Sequence, residues 1–434
     1  MNHAGVLDAE TGGGPQQFEG TLPEPKTLYP YYRDIKVLAF PAPAKGRGAP
    51  IAKGTILDLS VKMNAEGNLV WNAPTGTWQV LRIGCTTTGQ KNKPSPQSGL
   101  GLECDKFNPE AMRRHFDGFL GKLVDDVGPD AGNVFSTVHI DSWEVGTQDW
   151  TPHMAEEFRH RRGYDLTPWL VVLAGGSPVA SAEETKRFRW DFKRTQAELN
   201  DDAYAGALRS LAHQRGLKLS IEAYDPTGGF LNPLTYGSEA DLPMAEFWIT
   251  RWSAWHLLSP RLLASVGHVY GKPIVGAESF TAWAESDPFI EHPYSVKAIG
   301  DWAFCEGINR FVFHRSVLQP WKNCAPGMSF GGFGCPRQPA RQLTLDARAL
   351  HLRDQVGPFV GVGAVVIQFL RAVGVTDVAP SVGANAVVAL VVRRNRRPGA
   401  LRRRVFQLRQ EAVTFESGQD RQVAEFDQGR VNIQ

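Results

Sequence analysis

The sequence predicts an α/β chain centred on a (β/α)8 TIM-type barrel, left incomplete, with a small β-rich segment before it. Three observations carry this expectation. From about residue 101, apolar strand-like runs alternate with amphipathic helical stretches, the pattern of a parallel sheet with crossover helices. Those runs end in polar or acidic residues, as in "HIDSWE", "SIEAYD", "VGAESF" and "FVFHR". Polar groups at several C-terminal strand ends favour a barrel over a doubly wound sheet. No GxGxxG or GxxxxGK[ST] follows any of the runs, which argues against a nucleotide-binding fold.

Taken in order, residues 1–100 form the β-rich segment and a linker. A strand is expected over residues 35–40, another over 56–61, and "WNAPTGTWQVLRIG" reads as a turn feeding a strand over 78–83. Residues 101–334 form the partial barrel. A helix is expected over 109–127, with Pro109 at its start and Met112, Phe116, Phe119, Leu120 and Leu123 at helical spacing. A buried strand "VFSTVHIDSWE" follows, then helices over about 152–161 and 183–215, the second stopping at Gly216. "LKLSIEAYDP" and "ADLPMAEFW" read as the next strands, then a helix over 259–270, the strand "KPIVGAESF", a helix over 293–305 and the strand "INRFVFHRSV".

Residues 335–434 break the pattern. They contain no Lys, Tyr or Trp, although the chain holds nine Tyr and twelve Trp, and they carry fifteen Arg within Val/Ala/Gly runs such as "VGANAVVALVV". That composition is what GC-rich DNA yields when read out of frame, so a frame-shifted tail is expected there. A genuine Arg-rich domain is the alternative.

The bulk numbers exclude several function classes. A net charge of +2 gives no basic field for nucleic acid. No run of about 18 apolar residues exists, so no membrane span is expected. The five cysteines show no metal-type spacing. The first twenty residues lack a charged segment followed by an apolar one, so they do not read as a signal peptide. The twelve Trp are candidate stacking platforms for sugar rings, with core packing as the plainer role.

Glycosidic cleavage needs two carboxyl groups, one to protonate the leaving oxygen and one to activate water or attack the anomeric carbon. Glu144 and Glu278 end strand-like runs where a barrel would place such a pair. Around them stand Asp141, Trp143, Glu222, Asp225, Glu246 and His314, again at strand tips or just beyond. Several acidic tips aimed at one cleft repel unless protons or a cation compensate, and a hard cation such as Ca²⁺ answers that need. Salt bridges to Arg251, Arg310 or Arg315 are the alternative.

The strings "GLGLECDKFNPEAMRRHFD", "HIDSWEVGTQDWTPHMAEEFRHRRGYD", "AYDP", "VGAESFTAW", "GINRFVFH" and "QPWKNCAPGMSFG" occur in that order between about residues 51 and 334. Together they resemble glycoside hydrolase family 106, the α-L-rhamnosidases. The resemblance implies a catalytic (β/α)8 barrel within a much longer, calcium-dependent, inverting enzyme that releases terminal α-L-rhamnose from oligosaccharides, polysaccharides or glycosides. It implies Glu144 as general acid and Glu278 as general base acting through water, with a carboxyl separation of roughly 6.5–9.5 Å. Glu246 is then the first candidate for the metal-linked carboxylate and Glu222 the second. Asp141, Trp143, Asp225, Trp283 and His314 are the candidates for substrate binding. An intact relative is expected to be periplasmic or secreted. Competing expectations are an inactive, truncated remnant of such an enzyme and a non-catalytic carbohydrate-binding protein using its Trp residues as platforms.

Overall fold

The computed structural model describes residues 2–11, 16–22, 27–42, 49–92, 95, 97–224, 231–249, 254–282, 291–314, 424–427 and 430–433. The chain opens with β1 (Asn2–Thr11), β2 (Gln16–Thr21) and β3 (Tyr32–Pro41), followed by β4 (Leu57–Asp58), β5 (Asn68–Ala73) and β6 (Gly76–Thr86). They form an antiparallel sheet in the order β1-β6-β3-β4 and a separate β2-β5 pair. β1 and β2 carry no run of apolar residues and were not expected; their partners β6 and β5 define them. The strand expected over 56–61 shrinks to β4. Asp58 Oδ1 accepts from both the amide and the hydroxyl of Ser60, which turns the chain into a 3-10 turn, Ser60–Lys62.

Strand alternation explains why β3 reads as a continuous apolar run. Val37 and Ala39 face one core together with Leu69, Trp71 and Val80. Leu38 and Phe40 face the opposite way and join Leu81 and Ile83 in the main core. β3 and β6 are thus buried on both faces.

The second part alternates strands and helices. Helix α1 (Pro109–Phe116) passes through a π turn, Asp117–Gly121, into α2 (Lys122–Val127). Asn108 caps it by accepting from the Glu110 amide, with Pro109 at the first helical position. Then come β7 (Thr137–Ile140), α3 (Met154–Arg162), α4 (Leu170–Leu173) and α5 (Ala182–Leu199). Ser181 caps α5 by accepting from the Glu184 amide, and its hydroxyl donates to the Glu184 carboxylate. A second π turn, Asn200–Gly206, joins α5 to α6 (Ala207–Gln214). The chain continues through β8 (Lys218–Glu222), α7 (Pro233–Ser238), β9 (Leu242–Trp248), α8 (Ala254–Val269), β10 (Gly276–Thr281), α9 (Lys297–Cys305) and β11 (Arg310–Phe313).

Strands β7 to β11 form one sheet in sequential order, and each neighbouring pair is parallel. It curls as half of a barrel would. Val138, Ile140, Leu219, Ile221, Ala245, Phe247 and Ala277 point outward into the main core with residues of the helices. Of residues 335–434, the hairpin β12 (Ala424–Asp427) and β13 (Arg430–Ile433) is described; the rest of the expected tail lies outside the described residues.

Candidate active site

The same alternation that buries one face of the parallel sheet builds the site on the other. His139 is in register with Ser220, Glu222 with Met244, Glu246 with Glu278 and Glu278 with Val312. Side chains in register share a face, and so do those two residues apart. The inner face therefore carries His139 on β7, Glu222 on β8, Glu246 on β9 and Glu278 on β10. Asp141 and His314 continue it just beyond β7 and β11. Arg310 lies at the opposite end of β11, in register with Gly276.

Glu246 and Glu278 stand side by side, yet their surroundings differ. Tyr224 Oη and Trp248 Nε1 donate one bond to each oxygen of Glu246. Burial raises the Glu246 pKa; those two donors oppose the shift, and the charges of Asp141 and Glu144 add to it. Glu278 has a side chain 19% exposed, with His314 Nδ1 3.6 Å from its Oε1. Burial first, then the charges of Glu246 and Asp141, hold it well above the ordinary carboxylate range, against the lowering effect of a hydrogen bond from Thr281.

Thr281 reaches back 2.8 Å to Glu278 Oε1 because β10 is bulged. The register skips from Ser279 to Thr281, leaving Phe280 as the extra residue with φ +64°. A phenylalanine in the left-handed region is strained, by roughly 1–3 kcal/mol. Its ring offsets the strain by packing at 5.0–5.1 Å from Phe247, Phe311 and Phe313.

Glu222 is the most enclosed of the group, 2% exposed, and its Oε2 has no hydrogen-bond partner. Burial and the charges of Asp141, Glu278 and Glu246 push its pKa far up. Donor atoms of His139, Asp141 and Glu222 lie within 4.8 Å of one another. His139 is neutral in character, its pKa lowered by burial, and its Nδ1 is tied to Ser220 Oγ at 2.7 Å. This trio includes Glu222 but not Glu246, whose oxygens are already occupied.

Glu144 lies in the loop after β7 and is exposed. Ser142 Oγ donates to its Oε1 at 2.9 Å. Its charge adds to the upward shifts of both Glu246 and Glu278. Trp143, expected against a sugar, is instead 3% exposed. Its Nε1 donates to the Gly146 carbonyl and its ring meets Tyr204 edge-on, with Lys106 Nζ 5.3 Å away. A ring enclosed in this way has no face left for a ligand, so it supports the loop from beneath. Asp225, Trp283, Arg251 and Arg315 lie outside the described residues.

Sequence reasoning missed His139, Tyr224 and Trp248, although each stands two residues from an acidic tip and so shares its face. It also missed the anchor of the Glu144 loop. Asp105 accepts from Gln148 Nε2 at 2.5 Å and from Thr151 Oγ1 at 2.7 Å, and the Lys106 amide donates to Gln148 Oε1.

Paired Glu side chains on the C-terminal ends of parallel strands, among further carboxylates, are the equipment of a glycoside hydrolase. The chain belongs to glycoside hydrolase family 106, described as alpha-L-rhamnosidase, whose sequence profile matches residues 20–349. It is similar to a rhamnosidase from Novosphingobium sp. PP1Y of known structure, with 34% identity and a TM-score of 0.59 over 66% of this chain and 28% of that one. It is also 39% identical over 348 residues to a protein of Formosa agariphila that carries the provisional name beta-glucuronidase, covering 74% of this chain and 29% of that protein. The chain thus spans less than a third of the length of either relative.

Proposed function

We propose that this chain carries the acid–base pair of an exo-acting α-L-rhamnosidase that releases terminal α-L-rhamnose from a rhamnose-containing glycoside, oligosaccharide or polysaccharide, with inversion. β7 to β11 would be five strands of its (β/α)8 barrel. The observation that supports the reading is that Glu278 stands on the inner face of the parallel sheet and Glu144 in the loop after β7, close enough for the charge of one to act on the other.

Glu144, exposed at the mouth, gives its proton to the glycosidic oxygen as the bond from that oxygen to the anomeric carbon breaks. Glu278 takes a proton from a water whose oxygen bonds to the opposite face of that carbon, so the sugar leaves with inverted configuration. Exchange with solvent then restores both groups. Thr281 and His314 hold Glu278 in place.

Burial and neighbouring charge favour the protonated form of Glu278, whereas a base must be ionised. The orphaned oxygen of Glu222 beside Asp141 fits a hard divalent cation such as Ca²⁺, with two carboxylates as ligands and Glu246 nearby. When bound, such an ion would relieve the repulsion among these carboxylates and bind sugar hydroxyls. His139 is within reach but is a poor calcium ligand.

The groups whose charge raises Glu222, Glu246 and Glu278 are themselves carboxylates. That environment suits a neutral deoxy sugar better than the carboxylate of a uronic acid. Rhamnose release from an aryl α-L-rhamnoside tests the reading, with and without EDTA and with Glu144→Gln and Glu278→Gln. A variant that keeps near-full activity removes that residue from the mechanism. Cleavage of an aryl β-glucuronide in place of the rhamnoside overturns the substrate assignment. Reversible binding of rhamnosides with no turnover, unaffected by both variants, would instead mark a carbohydrate-binding protein.

A further inference from the structure

Helix α5 presents two unlike faces. Phe188, Phe192 and Leu199 are buried in the main core. Trp190, two residues from both phenylalanines, is turned about 200° away from each and points outward. It is 69% exposed, and among the described residues it is the one exposed tryptophan. A lone apolar side chain at a surface is ordinary; this one is set apart by its neighbours.

Lys186 and Arg187 stand four and three residues before Trp190, and Lys193 and Arg194 stand three and four after it. Residues at those spacings adjoin one another on a helix surface, so the indole is flanked by four exposed cations. Arg187 holds Glu183 at 3.3 Å and Arg194 holds Glu198 at 2.9 Å, and both carboxylates lie about two turns from the indole. Lys186 and Lys193 have no ion-pair partner among the described residues. Residues 185–197 carry five cations and one carboxylate, whereas the whole chain has a net charge of +2, so positive charge is concentrated on this helix.

We infer that this face of α5 docks an acidic polysaccharide with carboxylates along its chain. The indole gives the apolar side of a sugar ring a surface to stack on. The two lysines, about 10 Å apart along the helix axis, then meet carboxylates on either side of the stacked ring. The ion pairs of Arg187 and Arg194 are exposed and therefore weak, so a ligand carboxylate can replace Glu183 or Glu198. The family acts on glycosides, which favours a glycan over an acidic peptide of the same charge. The surface involves neither Glu144 nor Glu278 and does not depend on their roles.

The test is isothermal titration of the full chain with hexagalacturonate, against maltohexaose, hexaglutamate and dextran sulfate as comparison probes. Hexagalacturonate is expected to bind at least about tenfold more tightly than maltohexaose at low salt, and to lose that advantage in NaCl at about 1 M, where charges are screened over about 3 Å. Trp190→Ala should weaken it by about tenfold, and Lys186→Gln combined with Lys193→Gln by about fivefold. All three side chains are exposed, so the urea midpoints should match that of the parent chain. Maltohexaose bound as tightly as hexagalacturonate overturns the recognition of charge. Binding that falls with the lysines but ignores Trp190→Ala is undirected attraction and overturns the docking surface. Hexaglutamate bound more tightly than hexagalacturonate would hand the face to an acidic protein, and dextran sulfate bound without hexagalacturonate would hand it to sulfate esters; either result overturns the proposal.

Discussion

Replacing Lys106 with Met would expose how much the acid loop depends on what lies beneath it. Lys106 is 2% exposed and its Nζ donates at 2.5 Å to Glu103 Oε2, on a side chain 8% exposed. The ammonium also sits 5.3 Å from the Trp143 ring and 5.9 Å from the Tyr204 ring. Glu103 Oε1 already has no partner. Removing the cation therefore leaves a buried carboxylate with no compensation at either oxygen. Breaking a buried pair costs about 3–5 kcal/mol, and the lost ring contacts add about 0.5–2 kcal/mol. A loss of roughly 3.5–7 kcal/mol is expected for the single variant. Lys106→Met combined with Glu103→Leu removes both charges and should recover at least half of it, since an apolar pair of similar volume can replace a buried ion pair. Urea unfolding followed by Trp fluorescence reads both effects as midpoint shifts at constant slope. A single variant within about 0.5 kcal/mol of the parent chain, or a double variant no better than the single, would refute the reasoning.

Two further outcomes are expected. Burial raises Asp201 from 3.8 to about 7, with Asp202, Glu239 and Glu198 adding to the shift and the Thr235 hydroxyl opposing it. The folded state thus keeps a proton that the unfolded chain loses. The benefit of that proton is complete below about pH 4 and is lost as pH rises to about 7, an upper bound of about 4 kcal/mol. Asp201→Asn should raise Tm at pH 8 and leave it nearly unchanged at pH 4; equal shifts at both pH values would contradict this. Thr281→Val should lower kcat on an aryl rhamnoside by about tenfold with KM unchanged, because it removes the bond that orients Glu278; an unchanged kcat would strip Thr281 of that role.

The sequence exposed much of the parallel half of the fold. Its strands are short apolar runs with acidic ends, and its helices begin at signals such as Pro109 and the Ser181 cap. Residue order alone could also place Glu222, Glu246 and Glu278 at strand tips. What it hid depends on partners distant in sequence. β1 and β2 exist because β6 and β5 offer them edges. The π turns leave no compositional trace, and α8 begins at Ala254, ahead of the expected position, with Pro260 inside it. Trp143 looked like a sugar platform because it adjoins Glu144. Only the packing of Tyr204 and Lys106 reveals that its ring is enclosed. The left-handed Phe280 could not be inferred either, since phenylalanine rarely takes that conformation.

The two-faced burial of β3 also bears on how the molecule assembles. Ile51, in the same apolar cluster as Leu38 of β3, donates through its amide to the Pro178 carbonyl and accepts from the Ala180 amide. Contacts of such wide sequence separation must overcome chain-closure entropy before they yield any stability. During synthesis the N-terminal sheet would emerge with one face still bare. It would remain so at least until the chain around residues 178–180 had followed. The early chain is therefore the part most in need of protection from aggregation.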